Sequence, residues 1–382
     1  MKSIAIITPS AESIINFRAS FIKKLCDSGY KVYALAPDYN KVIKKDEVAN
    51  LGCIPIDIEL NRASISPLLD FINTLKLIII LRKINPSITF SYSIKPVIFG
   101  SIASFLAGVP YSYSMIEGLG RVFAYSERKT IKKSLIKKVV ILMYKFSLKI
   151  SKKVIFLNND DIFDFISYGV ISRDKAILLG GIGVDLNYWT SSNVVVKRNE
   201  TKFIYTSRLM EEKGILEYIK SAYILKEKYP DCTFYVLGDC DSEDCNEVIN
   251  STLKEADAEG VINWVGHTRN VKNWFNKSNV FVLPSYYREG IPRSTQEAMS
   301  MSMPIITCDT PGNKETVVDG LNGFFTPPKD SKKLALTMAK FINNPDFIGK
   351  MGNASRKIAI EIFDEKIANK ILLDIVLDNK LD

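Results

Sequence analysis

Two carboxylates with seven residues between them, Glu289 and Glu297, frame the stretch Phe281-Val-Leu-Pro-Ser-Tyr-Tyr-Arg-Glu-Gly-Ile-Pro-Arg-Ser-Thr-Gln-Glu297. It begins as an apolar strand, breaks at Pro284-Ser285 and carries Gly290 beside Glu289. Pro292 then opens a helix bearing Glu297. Strand, glycine-bearing loop and proline at the first helical position aim backbone N–H groups and a helix dipole at an anion. Carboxylates next to a phosphate site accept from hydroxyls, so the pattern reads as a nucleotide-sugar site. A hydrolase's general-acid pair fits less well, because one acid lies in a loop and the other inside a helix.

A second cluster, Arg208-Leu-Met-Glu-Glu-Lys213-Gly214, follows the strand Phe203–Ser207. Ligands of open α/β sheets bind at strand carboxyl ends, and an Arg with a Lys neutralises a departing diphosphate. The alternative is two solvated charges at a helix start. Asp239-Cys-Asp241 matches the Asp-x-Asp by which some sugar transferases hold a divalent cation, but it lies in an acidic loop and reads better as solvated acids. His267, the only histidine, supports neither a Ser/His/Asp triad nor a histidine-rich metal site. The six cysteines lack framework spacing, so a reducing compartment and inert thiols are expected, Cys240 and Cys245 included.

These residues sit in an alternating series of strands and helices. Ile4–Thr8, Tyr30–Ala36, Ile54–Ile58 and Ile88–Tyr92 read as strands, and Phe17–Asp27, Leu68–Ile84 and Val97–Ala107 as helices. That is the order of a doubly wound parallel sheet. No Gly-x-Gly-x-x-Gly follows the first strand, which disfavours a nicotinamide or flavin dehydrogenase. After an irregular stretch at 189–197 a second series begins at Phe203, so the 382 residues divide into two α/β domains facing each other across a cleft. The expected boundaries are 1–185, 186–364 and a final helix at 365–382 that packs back on the first domain.

The charge is uneven. Residues 1–180 hold 26 Lys and Arg against 14 Asp and Glu, whereas the remainder is slightly acidic. A helix over Thr130–Ile150 carries Lys133, Lys137, Lys145 and Lys149 on one stripe, with Leu135, Val139, Leu142, Met143, Phe146 and Ile150 near the opposite one. It reads either as an ordinary amphipathic surface helix or as a patch for anionic lipid. Nucleic acid fits less well, because no aromatics interleave with the lysines as a stacking platform. No window reaches the ~18 uninterrupted apolar residues of a membrane span, and the first residues are too strand-like for a signal peptide.

Glu289-Gly-Ile-Pro-Arg-Ser-Thr-Gln-Glu297-Ala-Met resembles the Glu-x7-Glu signature of family 4 glycosyltransferases, retaining enzymes of the GT-B fold. Asn16-Phe-Arg18, Ile94-Lys-Pro96 with Gly100, Glu117-Gly-Leu-Gly120, Gly181-Ile-Gly-Val-Asp185, Ser207-Arg-Leu and Asp309-Thr-Pro-Gly312 resemble further motifs of its bacterial polysaccharide branch. Their order and spacing together are specific. The resemblance implies that Arg208 and Lys213 hold and stabilise the donor diphosphate, that Glu289 accepts from the donor-sugar hydroxyls and that Glu297 accepts from the ribose. It groups Ser285, Gly290, Ile291, Pro292 and Gly183 with nucleotide-sugar binding, and Asn16, Arg18, Lys95, Glu117 and Gly118 with the acceptor side.

Two departures stand out. The family's first-domain histidine has no counterpart here, with Glu117 or Gly118 in its loop. Ser302 replaces a glycine in the turn after Glu297, where positive φ would strain a serine. The implied activity is retaining transfer of a hexose or N-acetylhexosamine from a nucleoside-diphosphate sugar, UDP favoured, to a lipid-linked glycan in O-antigen, capsule or related assembly. No metal or other cofactor is implied. The expected location is cytoplasmic, on the inner face of an anionic membrane, beside a polyprenyl-diphosphate-linked acceptor. A nucleotide-sugar 2-epimerase of the same fold and a non-catalytic sugar-nucleotide binder are the alternatives.

Overall fold

The structure, a computed structural model, describes residues 2–39, 41, 43–60, 66–123, 131–191, 200–240 and 245–377. The chain divides into two compact units, one of residues 1–122, 127–182 and 366–382, the other of 123–126 and 183–365.

In chain order the first unit holds β1 (Ser3–Ile7), α1 (Ala11–Phe17), α2 (Ala19–Asp27), β2 (Lys31–Ala36), α3 (Lys45–Ala49), β3 (Ile54–Asp57) and α4 (Pro67–Ile84). It continues with β4 (Ile88–Tyr92), α5 (Ser101–Ala107), β5 (Tyr111–Ile116), α6 (Ile131–Ile150), β6 (Lys153–Phe156), α7 (Asn159–Ser167) and β7 (Ala176–Leu178). Its seven-stranded sheet has the order β3-β2-β1-β4-β5-β6-β7, every described pairing parallel. Strands covered on both faces need continuous apolar runs, and Ile4 to Ile7 are wholly buried. Leu35, Leu77, Leu81 and Ala103 close the core between the sheet and helices α4 and α5.

The second unit holds β8 (Lys202–Thr206), α8 (Ile215–Lys228), β9 (Thr233–Leu237), α9 (Glu247–Ala258), β10 (Asn263–Gly266), α10 (Val271–Asn276) and β11 (Val280–Leu283). Then come α11 (Arg293–Ser300), β12 (Ile305–Cys308), β13 (Gly323–Thr326), α12 (Ser331–Asn343), α13 (Asp346–Ile362) and α14 (Glu365–Leu377), whose residues from 366 on belong to the first unit. The sheet order is β10-β9-β8-β11-β12-β13, again parallel. Both sheets reverse their strand order once, between β1 and β4 and between β8 and β11. Loops diverge at such points and leave a crevice at the strand carboxyl ends.

Several elements depart from the sequence reading. The helix expected over Phe17–Asp27 is α2, which starts at Ala19; a separate helix, α1, precedes it, and the two are divided at Arg18, whose φ is −132°. Tyr111-Ser-Tyr-Ser-Met-Ile116, not anticipated as a strand, is one, with Ser112 and Ser114 buried. Ser114 Oγ lies 2.8 Å from Ser151 Oγ and 3.1 Å from Ser101 Oγ, which satisfies the hydroxyl the core encloses. Helix α6 buries only part of its apolar side. Tyr144, Ser147 and Leu148 face inward, while Leu135, Val139, Leu142 and Phe146 stand exposed.

Cys240 and Cys245, read from sequence as separate thiols, form a disulfide. Most of the irregular stretch at 189–197, and Asp241, lie outside the described residues. Among the described residues, no helix is long and apolar enough to cross a membrane.

Candidate active site

The β8–β11 switch point gathers the residues with the most chemistry. After β8 the chain passes Ser207-Arg208 and makes a tight turn, Glu211–Lys213, that ends at Gly214 with φ 75°. A Cβ at Gly214 would stand 2.3 Å from the Pro284 carbonyl oxygen, so only glycine lets α8 start this close to the β11 loop. The Glu212 carbonyl staples the two loops: it accepts from the Tyr286 N–H at 2.9 Å, the Tyr287 N–H at 3.0 Å and Ser285 Oγ at 3.3 Å. As a result Lys213 Nζ meets Glu289 Oε1 in an ion pair whose side chains are only 10% and 11% exposed. Ser285 Oγ donates to the same Glu289 oxygen at 3.2 Å.

Tyr287 lies beside both cations. Its ring centroid is 5.4 Å from Lys213 Nζ and 5.9 Å from the Arg208 guanidinium. Arg208, Lys213 and Glu289 therefore share one neighbourhood. That neighbourhood combines two positive charges with a carboxylate and fits a diphosphate joined to a polyol.

The helix end of the site differs slightly from expectation. Pro292 is the residue before α11 rather than its first helical residue, with φ −60° and ψ 126°. Gly290, Ile291 and Pro292, in the loop that leads into α11, are buried. Glu297 lies one turn into α11 and accepts from Arg293 Nε at 2.9 Å. Burial pushes its carboxyl above the ordinary value, with the Arg293 charge pulling the other way. Gly183 reaches the same helix by donating its N–H to Gln296 Oε1 at 3.0 Å, while Gln296 Nε2 donates to the Ile291 carbonyl at 3.1 Å.

Three supporting residues were not singled out from sequence. Gln296 is one. Thr310 Oγ1 and Asn313 Nδ2 both donate to the Ser285 carbonyl, at 3.0 and 3.2 Å, and fix the loop that carries Glu289. The resembling motif Asp309-Thr-Pro-Gly312 gains a physical role here. A Cβ at Gly312 would stand 2.5 Å from the Gly290 carbonyl oxygen and 2.6 Å from that of Glu289. His267 is exposed after β10, and Asp239 follows β9. Among the described residues no three His, Cys, Asp or Glu side chains form a metal-holding group.

The first unit has its own cluster at the β1–β4 switch. Arg18, 2% exposed, lies over the Tyr92 ring at 4.6 Å and donates to Glu117 Oε1 at 2.5 Å. Ser93 Oγ donates to the other Glu117 oxygen at 2.9 Å. Lys95 pairs with Asp70 of α4 at 2.8 Å. Gly118 has φ 105°, and Asn16 is exposed at the end of α1. The sequence candidates Arg18 and Glu117 thus meet each other, Lys95 meets Asp70, and Asn16 points outward.

Comparison with known proteins agrees with this geometry. Residues 189–358 match the family model of glycosyl transferases group 1. The chain is 24% identical over 388 residues, 97% of each chain, to the N,N'-diacetylbacillosaminyl-diphospho-undecaprenol alpha-1,3-N-acetylgalactosaminyltransferase of Campylobacter jejuni. It is 28% identical over 282 residues, 70% of this chain and 69% of the other, to the UDP-Gal:alpha-D-GlcNAc-diphosphoundecaprenol alpha-1,3-galactosyltransferase of Escherichia coli. Among solved structures, Anabaena Alr3699/HepE in complex with UDP and glucose superposes with a TM-score of 0.77 at 17% identity, over 99% of this chain and 100% of the other. Both relatives are transferases, which sets the epimerase alternative aside. Residues 189–358 thus resemble glycosyl transferases group 1, and the chain has the two-domain α/β GT-B fold.

Proposed function

We propose that the enzyme moves a hexose or N-acetylhexosamine, with retention, from a UDP-sugar to a glycan carried on a polyprenyl diphosphate, in assembly of a bacterial surface polysaccharide. The observation that carries the reading is the convergence of Arg208, Lys213 and Glu289 at one switch point. The named substrates of the Campylobacter and Escherichia relatives, both undecaprenyl-diphosphate-linked, support the acceptor class.

The two cations face the diphosphate. Glu289 holds Lys213 before the donor enters and then accepts from the sugar hydroxyls, while Glu297 accepts from the ribose. The bond from the sugar C1 to the departing phosphate oxygen breaks within an ion pair. An acceptor hydroxyl oxygen bonds C1 on the same face and passes its proton to that phosphate oxygen. Positive charge arranged in advance around the leaving group supplies the rate enhancement. The reading calls for no bound metal.

Arg18, Lys95, Glu117, Gly118 and Asn16 are assigned to the acceptor side. The lysines of α6 hold the protein against the anionic inner face of the membrane. The test pairs UDP- and GDP-sugars with a short-chain polyprenyl diphosphate sugar and reads products by mass spectrometry and the new anomeric centre by NMR. A product of inverted configuration, or no transfer from any donor, rejects the reading.

A further inference from the structure

Helices α4, α5 and α6 connect β3 to β4, β4 to β5 and β5 to β6, each stepping the same way across the sheet. Right-handed crossovers therefore lay all three on one face of the first unit. The outer side of that layer is apolar where water should demand polar residues. In the first half of α4 the pattern is inverted: Asp70, Asn73 and Thr74 are buried, while Leu68, Phe71, Ile72 and Leu75 are exposed, Leu68 at 71% and Phe71 at 61%. Ile79 continues the stripe at 67%, and Phe105 of α5 adds 64%. On α6 the outward face is Leu135, Val139, Leu142 and Phe146, with Lys138, Lys145 and Lys149 exposed beside them.

Scattered exposed apolar residues are ordinary, but stripes on two helices of one layer, joined by Phe105 and Leu106 of the third, are a binding surface. Its charge identifies the partner. The three helices carry nine Lys and Arg and a single acid, Asp70, which turns inward to Lys95. A second copy of this chain would bring like charge against like charge. An anionic bilayer takes both parts, apolar side chains below the headgroups and lysines among them.

We infer that the α4–α5–α6 face is a membrane-insertion surface, with Leu68, Phe71, Ile72 and Leu75 entering the bilayer of an anionic membrane. It deepens the reading of a membrane-held acceptor given above. The inverted half of α4 has a use in this arrangement, since one helix turns its apolar side to lipid and its Asp70–Lys95 pair toward the carboxyl-end crevice of the sheet.

The test measures partitioning onto vesicles of phosphatidylcholine with phosphatidylglycerol, containing no acceptor. The variant Leu68→Ser/Phe71→Ser/Leu75→Ser changes only exposed positions. It should lose vesicle binding by about tenfold for each inserted side chain removed, while UDP binding and circular dichroism stay as in the wild type. Phe71→Trp should give blue-shifted emission with vesicles, quenched by brominated acyl chains. Wild-type partitioning should also persist in part at high salt, where lysine contacts are screened. Wild-type partitioning by the triple serine variant, with all binding lost in Lys138→Gln/Lys145→Gln/Lys149→Gln, overturns the inference. So does a wild-type dimer that the serine variant splits without losing vesicles. If insertion is observed and no sugar reaches a polyprenyl diphosphate acceptor, the insertion face stands and the acceptor reading fails.

Discussion

Lys213 and Glu289, 76 residues apart in sequence, form a buried ion pair at the point where the second sheet reverses its strand order. Each compensates the other for leaving water. A buried pair adds little net stability over an apolar pair, but removing one member strands the other and costs about 3–5 kcal/mol. Lys213→Ala and Glu289→Ala should therefore each lower turnover by orders of magnitude and also lower the unfolding midpoint. Lys213→Met/Glu289→Leu should recover most of the stability and none of the activity. Denaturant titration of the three variants beside initial rates separates the two effects. Equal stability of all three would refute the coupling, and wild-type rates in the single variants would refute the catalytic assignment.

Glu297 makes one group act in opposite directions. Its folded pKa is raised by burial, so between the ordinary carboxylate value and the raised one the folded state binds more protons than the unfolded. Stability then falls as pH rises through that window, because the charged form is the costly one. On the proposed role of Glu297 as acceptor for the ribose hydroxyls, which calls for the ionised carboxylate, nucleotide affinity should do the reverse. Calorimetric binding of UDP should weaken as pH falls through the raised value. In Glu297→Gln that slope should vanish, along with much of the affinity. A variant that keeps the wild-type pH slope would assign the titration to another group.

Ser302 stands in the turn after α11 with φ 58°, the left-handed region where the resembling motif has glycine. The strain of such a residue is about 1–2 kcal/mol, and a glycine there gives back about 0.5–1 kcal/mol in unfolded-chain entropy. Ser302→Gly should therefore stabilise the enzyme by up to about 1.5 kcal/mol and leave its rate unchanged. A lower melting temperature in the variant would mean that the serine hydroxyl contributes more than its backbone costs.

The sequence was most legible where local grammar decides the outcome. Arg208 and Lys213 follow a strand and precede a helix, and Glu289 and Glu297 straddle a helix start, all visible in short windows. Their meeting was not visible, because it depends on β8 lying beside β11, a fact of topology. The same holds for Thr310 and Asn313, which reach Ser285 from the loop after β12. Strand β5 was missed because its Tyr-Ser-Tyr-Ser run is too polar to read as a buried strand, whereas the Ser114 hydroxyl is met inside the core by Ser101 and Ser151. On α6 the periodicity gave two faces but not their direction. Apolar residues point inward only where a core is the alternative to water.

Gly312 offers the sharpest check on how the site is built. Its φ is 85°, and a Cβ there would stand 2.5 Å from the Gly290 carbonyl oxygen and 2.6 Å from that of Glu289. Gly260 has a similar φ of 71° with nothing within 4 Å of the same atom. Alanine at either position meets comparable backbone strain, about 1–2 kcal/mol. Only at Gly312 must the added carbon push the backbone that carries Glu289. Gly312→Ala should thus lose turnover steeply, because a displacement of ~1 Å at a positioning element costs about a hundredfold. Gly260→Ala should be slightly less stable and as active as the wild type. The comparison is read from kcat at saturating donor beside each variant's melting temperature. If the two alanines lose activity in proportion to stability alone, the Asp309–Gly312 turn is a structural loop and does not position Glu289.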